Sequence, residues 1–209
     1  MATLIGFLLV GLGKKRSSRF NGWALISAAI AMIAASVAEI IPSALAIDVG
    51  WQDSLLWLAL GGASVYVIKL LVNQVENRSP SMAGSVLVVT LALTLHNIPE
   101  GTASIAATGA NLEAGLATGA AIAFQNIPEG LSIAALAMAA SQSKFRVFLL
   151  VAVSVVAEIL GAAIIWVNQD HLNATISSHL LLAVAGMMLA ISFIELLPQG
   201  RKLLVSAKR

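Results

Sequence analysis

Residues 96–101 read His96-Asn97-Ile98-Pro99-Glu100-Gly101, and residues 125–130 read Gln125-Asn126-Ile127-Pro128-Glu129-Gly130; the two hexapeptides differ only at their first residue. They sit in the middle of two successive apolar runs, Ala83–Ala107 and Gly115–Ala140. A helix needs about 20 residues to cross a bilayer core, and both runs are long enough. Each motif therefore places an amide and a carboxylate, and in the first copy an imidazole, where a lipid-spanning helix carries hydrocarbon. Ionisable groups at that depth are expensive and mark paths for ions or substrates.

The rest of the chain agrees with a membrane setting. Its 209 residues are 59% hydrophobic and 11% charged, against about 25% charged in a soluble domain. The apolar residues form seven blocks: Ala2–Leu12, Trp23–Leu45, Ser54–Val72, Ala83–Ala107, Gly115–Ala140, Phe145–Val167 and Leu180–Leu197. The expected fold is all-α, a polytopic membrane helix bundle of about seven transmembrane spans in a single domain covering residues 1–209. The first span is short. Its basic cluster (Lys14, Lys15, Arg16, Arg19) follows the apolar run, whereas in a signal peptide it would precede it. A truncated or tilted first helix is the better reading. There is no cysteine, which excludes disulfides and thiolate metal sites.

Charge placement orients the bundle. The first basic cluster, then Lys69 and Arg78, then Lys144 and Arg146, then Arg201, Lys202, Lys208 and Arg209 all fall on one side of the membrane. The opposite loops carry acids: Asp48, Asp53, Glu113 and Asp170. The positive-inside rule makes the basic side cytoplasmic, so the N-terminus is expected outside and the C-terminus inside. Trp51, Trp57 and Trp166 lie near the outer boundary, as interfacial anchors or as lipid-facing bulk. Small residues crowd the fourth and fifth spans, for example Thr102-Ala103-Ser104 and Gly115-xxx-Gly119, where helices are expected to approach closely.

Five of the ten acids fall inside spans: Glu39, Glu100, Glu129, Glu158 and Glu195. Each central charge costs about 2.5–3.5 kcal/mol, so five unpaired ones would cost on the order of 10–15 kcal/mol. No Lys or Arg lies deep in a span except Lys69 near an end, so ion pairs are not expected to offset this. The sequence therefore calls for cations, either protons or metals. Helical spacing puts His96 and Glu100 on one face, with Asn97 and Glu100 on an adjacent one. Gln125, Asn126 and Glu129 repeat the arrangement. Glu100 and Glu129 each face two donor sets and are suited to bridging two ions. Pro99 and Pro128 free the carbonyls of Leu95 and Phe124 from helical bonds, which suits a wet cavity. The copies are offset by 29 residues in consecutive, antiparallel helices, so they meet near the midplane. An inverted repeat around a midplane site is a recurring transporter design.

Imidazole nitrogen with amide and carboxylate oxygen, and no thiolate, suits Zn²⁺, Fe²⁺, Mn²⁺ and their neighbours rather than Cu⁺; the histidine argues against a pure Ca²⁺ or Mg²⁺ site. Glu158 is a further candidate ligand. Glu39 and Glu195 each end a span just before a proline (Pro42, Pro198) and are read either as ligands or as carboxylates facing interfacial water. Met32 lies two helical turns before Glu39 on the same face, as a packing residue or a ligand. His171 and His179 are placed in an outer loop with Asp170, solvated or collecting metal weakly.

At these residues the chain resembles the ZIP (Zrt/Irt-like protein) family of divalent metal transporters. His-Asn-x-Pro-Glu-Gly marks the family's fourth helix, and a related motif marks the fifth; Gln125 in place of histidine is similar to the prokaryotic GufA-type branch. Ala31-Met32-Ile33-Ala34-Ala35-Ser36, Ala157-Glu158-Ile159-Leu160-Gly161-Ala162, Ala185-Gly186-Met187-Met188 and Glu195-Leu196-Leu197-Pro198 extend the likeness along nearly the whole chain. The resemblance implies an inverted-repeat architecture and metal uptake toward the cytoplasm through a two-metal centre. One site would use Met32, His96, Glu100, Gln125 and Glu129. The other would use Asn97, Glu100, Asn126, Glu129 and Glu158, with Glu195 as an auxiliary ligand. There are departures. The family's eighth helix is expected to be absent, Glu39 stands at a position usually small and polar, and Ile159 replaces a common proline. The fifth-helix histidines are missing.

The reading that follows is a multi-pass protein of the plasma (inner) membrane. It would move divalent metal, zinc first, with iron, manganese, cobalt and cadmium in the same class. A homodimer in the lipid bilayer is expected, with no nucleic-acid partner. A proton or monovalent-cation carrier would use the same carboxylates without needing His96 and the amides. A metal sensor or scaffold would bind without flux. The chain is not expected to be an enzyme: no His-Glu-x-x-His occurs and the ligand helices lack an obvious catalytic base set, which argues against a metalloprotease.

Overall fold

A computed structural model describes residues 2–11, 17–46, 49–76, 81–110, 112–167 and 174–207. Lys14, Lys15, Arg16, Asp48, Arg78, Asp170, His171, Lys208 and Arg209 lie outside the described residues. The described chain is helical throughout: α1 (Thr3–Gly11), α2 (Ser18–Ala35), α3 (Ile41–Leu45), α4 (Trp51–Glu76), α5 (Met82–Ala110), α6 (Leu112–Ala139), α7 (Lys144–Val167), α8 (Ala174–Ile191) and α9 (Leu197–Ser206). Three helices that begin on the basic side are capped by serine, a residue that satisfies an otherwise unpaired first-turn N–H. Ser17 Oγ accepts from the Phe20 amide at 3.2 Å, Ser81 Oγ from Gly84 at 2.8 Å and Ser143 Oγ from Arg146 at 3.3 Å.

Most helices run past the apolar blocks that predict them, because the hydrogen-bond ladder continues beyond the hydrocarbon. Among the described residues, five stretches are long and apolar enough to cross a membrane: Ser18–Leu45, Trp51–Val75, Met82–Thr102, Lys144–Ile164 and Ala174–Ser206. The nine residues of α1 are too few, as the sequence suggests. Helix α6, with 28 residues, lies among the others and packs on α1, α2, α5 and α7.

Glu39 and Glu195 do not end their spans. Each sits in a single π turn, Ser36–Ile40 after α2 and Ser192–Leu196 after α8. The Ile41 and Leu197 amides reach back five residues to the carbonyls of Ser36 and Ser192. Pro42 and Pro198 then enter at the start of the next α segment, where a missing N–H costs nothing. Ser36 Oγ donates to the Met32 carbonyl at 2.9 Å, and Ser192 Oγ to the Met188 carbonyl at 2.8 Å. The two turns thus share one pattern, Met-x3-Ser-x2-Glu-(Ile/Leu)2-Pro, at a constant offset of 156 residues. Their helices run antiparallel: Ser178 Oγ donates to the Ala44 carbonyl at 2.8 Å, while Gly22 faces Gly200.

Among the described residues, close packing is set by glycines of the motifs and their partners; of the small residues singled out in the sequence, the side chains of Ala103 and Ser104 and the surroundings of Gly115 lie outside the description. A Cβ added at Gly101 would strike the Glu158 carbonyl of α7, and one at Gly161 would strike the Ile98 carbonyl of α5. Gly130 and Gly6 stand in the same relation across α6 and α1. Gly119, by contrast, faces nothing within 4 Å. Backbone contact of this kind is how apolar helices associate where lipid removes the usual hydrophobic drive. It fixes the two motif helices, α5 and α6, at the centre of the bundle. Helix α4 is the opposite case, with only 17% of its apolar window buried against 56% for α5.

Candidate metal centre

The two motifs meet. His96 and Glu100 lie one turn apart on α5, and Glu129 approaches from α6; ligand atoms of all three lie within 4.8 Å of one another. His96 Nε2 is 3.0 Å from Glu129 Oε1 and 3.7 Å from Glu100 Oε2. All three side chains are buried. Two carboxylates and an imidazole at this range could hold a metal ion, and no Lys or Arg stands on α5 or α6 to compensate them.

The unsatisfied atoms make the point more sharply. Among the described residues, eleven buried side-chain N or O atoms have no hydrogen-bond partner, and six of them belong to the motifs. They are His96 Nδ1, Asn97 Oδ1, both Glu100 oxygens, Asn126 Oδ1 and Glu129 Oε2. Leaving a buried polar atom unpaired costs about 1–3 kcal/mol, and six such atoms lie on these two adjacent helices. A divalent cation accepts all of these donor types at once.

The amides are held so that oxygen, not nitrogen, is left over. Asn97 Nδ2 donates to the Ser154 carbonyl at 3.1 Å and to Ser154 Oγ at 2.8 Å. Asn126 Nδ2 donates to Glu158 Oε1 at 3.1 Å. Gln125 Nε2 donates to Glu39 Oε2 at 3.1 Å. In each case the N–H side is occupied by a neighbouring helix. Ser154 is absent from the candidates drawn from the sequence; its signal was there, one turn before Glu158 on the same face of α7. Met32, Glu39 and Gln125 line a cavity of about 570 Å³ between α2 and α6, together with Phe124 and Pro128. Glu39 is exposed to it and Met32 is buried.

Two expectations need correcting. Glu195 is not free of basic partners: Lys69 Nζ of α4 lies 2.6 Å from Glu195 Oε1 and also reaches the Ile194 carbonyl at 3.5 Å. A lysine near a helix end extends its stem along the apolar surface and places its charge some distance from its own backbone. The sequence argument about span depth missed this reach. His179 is not a solvated loop residue either. It lies on α8 and stacks on Trp57 of α4, with ring centroids 5.1 Å apart. The Trp57 ring is therefore half-buried between α4 and α8, while Trp51 and Trp166 are exposed as interfacial anchors would be.

Comparison with known proteins agrees with this arrangement. The family described as ZIP zinc transporter matches residues 72–207, a range that contains both motifs and α7 to α9. Zinc transporter ZupT of Escherichia fergusonii is 33% identical over 221 aligned residues, covering 97% of this chain and 83% of the relative. ZupT proteins of Salmonella paratyphi A and Escherichia coli match at the same 33% identity and coverage. A match over most of the chain, with the paired motifs converging on one buried cluster, shows that this protein belongs to the ZIP zinc transporter family.

Proposed function

We propose that this chain moves divalent metal ions, zinc first, across the inner (plasma) membrane toward the cytoplasm, with two ions held between α5 and α6. A member of this family is a membrane transporter of divalent metal rather than an enzyme. The observation that carries the finer reading is the set of six orphaned donor atoms on His96, Asn97, Glu100, Asn126 and Glu129. One ion would take His96, Glu100 and Glu129, with Gln125 and Met32 from the cavity side. The other would take Asn97, Asn126 and Glu158, sharing Glu100 and Glu129. Iron, manganese, cobalt and cadmium suit the same donors.

Entry runs through the cavity lined by Met32, Glu39 and Gln125. An arriving cation takes the place of the 3.0 Å contact between His96 Nε2 and Glu129 Oε1, because the same two atoms become its ligands. Ser154, Glu158 and Glu39 keep the amide oxygens turned toward the ion. Hydrogen bonds of this kind, made to the ligands rather than to the ion, orient the ligands at fixed metal sites. The family resemblance supports inward direction, and the positive-inside rule supports the placement of the N-terminus outside. Residues 1–209 act as one transporter domain in the bilayer, and the family resemblance supports a homodimer.

X-ray absorption on zinc-loaded protein tests the site. The expected shell is nitrogen and oxygen at about 2.0–2.2 Å, with the imidazole signal lost in His96→Ala. An unchanged spectrum in that variant contradicts the assignment.

A further inference from the structure

The repeated π turns place two equivalent glutamates toward opposite ends of the bundle. Glu39 belongs to α2, which packs on α6, and Glu195 belongs to the α8 segment, which packs on α5. Because α2 and α8 run antiparallel, Glu39 points toward the Ser178 end of the bundle and Glu195 lies toward the Gly22 end. Yet the two glutamates are engaged differently. Glu39 accepts from Gln125, the first residue of the second motif. The matching partner for Glu195 is His96, the first residue of the first motif. His96 instead turns Nε2 to Glu129, and Glu195, only 2% exposed, is held by Lys69.

The lysine is firmly placed. Helices α4 and α8 run side by side and in the same direction, from the Trp57–His179 stack at one end to the Lys69–Glu195 pair at the other. Backbone contact at Gly61 against Ala183 and at Gly186 against Leu58 seats one on the other between those points. Stripping one partner from a buried ion pair is strongly destabilising, so Glu195 leaves Lys69 at least cost by taking another cation, a proton or a metal ion. A divalent ion moving out of the centre past Glu195 supplies it.

We propose that Lys69 is a tethered cation that latches the Glu195 mouth shut, and that exit of the transported ion requires Glu195 to exchange Lys69 for metal. Transport then alternates between two related states: Glu39 engaged with the second motif while Lys69 holds Glu195, and Glu195 engaged at the first motif with the latch open. An inverted repeat gives such paired states naturally, because each half adopts the other's conformation in turn. The proposal rests on the metal-centre reading above, since it needs an ion to arrive from that centre.

The chain has no cysteine, so one introduced thiol reports access to the open mouth. Ala35→Cys, on the wall of the Glu39 cavity, is labelled with a membrane-impermeant thiosulfonate in proteoliposomes without metal. Combining it with Lys69→Met/Glu195→Gln removes the latch and leaves no unpaired charge. Labelling is expected to fall by about threefold or more as the population shifts away from the Glu39-open state. Lys69→Arg keeps the cation and is expected to keep the labelling. Unchanged labelling in the latch-less protein overturns the proposal, as does an equal fall in Lys69→Arg. Glu195→Gln alone, with Lys69 in place, repeats the test if the double variant does not fold. Zinc calorimetry on the parent separates the two readings. Absence of binding there defeats the metal centre, whereas unchanged labelling with binding intact defeats only the latch.

Discussion

Gly101→Ala removes no donor atom and is nevertheless expected to damage the metal centre. The added Cβ would strike the Glu158 carbonyl and lie 2.9 Å from the Ala162 amide nitrogen, and real Cβ contacts essentially never fall under 3.0 Å. Both obstacles are backbone, so no side chain can swing aside and α7 must withdraw. That helix carries Ser154 and Glu158, which hold the amides of Asn97 and Asn126. Overpacking a close interface costs about 1–3 kcal/mol; taken from binding, that is roughly 5–150-fold in zinc affinity. Helix propensity works the other way, since alanine favours a helix over glycine by about 1 kcal/mol. Gly119→Ala is the matched control, with nothing within 4 Å of its added Cβ. Zinc calorimetry on both variants in detergent decides the matter. If Gly101→Ala binds zinc as tightly as Gly119→Ala, the coupling between α7 position and the centre is refuted.

Ser154→Ala removes one of two acceptors for the Asn97 amide and should weaken zinc binding by about 2–10-fold, the worth of one hydrogen bond; full affinity would mean Ser154 only packs. Zinc at 100 times its dissociation constant should stabilise the protein by about 2.7 kcal/mol, seen as a rise in melting temperature that disappears in Glu100→Ala/Glu129→Ala. Lowering the pH should weaken zinc binding, because protons compete for carboxylates and imidazole that must be bare to bind. Calorimetry in two buffers of different ionisation heat checks this, and identical enthalpies in both would contradict proton release.

Much of this site was legible in the sequence because its chemistry is local. His96 and Glu100 share a face by helical spacing, and the second motif repeats the first. The span boundaries were less legible, since hydropathy ends where hydrocarbon ends and helices do not. Ser154 was passed over because serine is common in such helices and its role depends on meeting Asn97 across 57 positions. Lys69 and Glu195 are 126 positions apart, and their pairing depends on α4 lying against α8, which no local pattern encodes. The shared π turns around Glu39 and Glu195 were readable only in part. The prolines were visible, but prolines usually end helices, and only the wider turn shows why these do not.

Metal flux into proteoliposomes tests the central claim most directly, with Zn²⁺, Mn²⁺, Fe²⁺ and Cd²⁺ offered to the parent beside His96→Ala and Glu100→Ala. The account predicts zinc uptake by the parent and a steep fall in both variants, because each removes a donor from the cluster that α5 and α6 form together. Parent-level flux in both variants would place the path elsewhere. Zinc binding with no flux in the parent would make the protein a sensor or scaffold and contradict the transport reading.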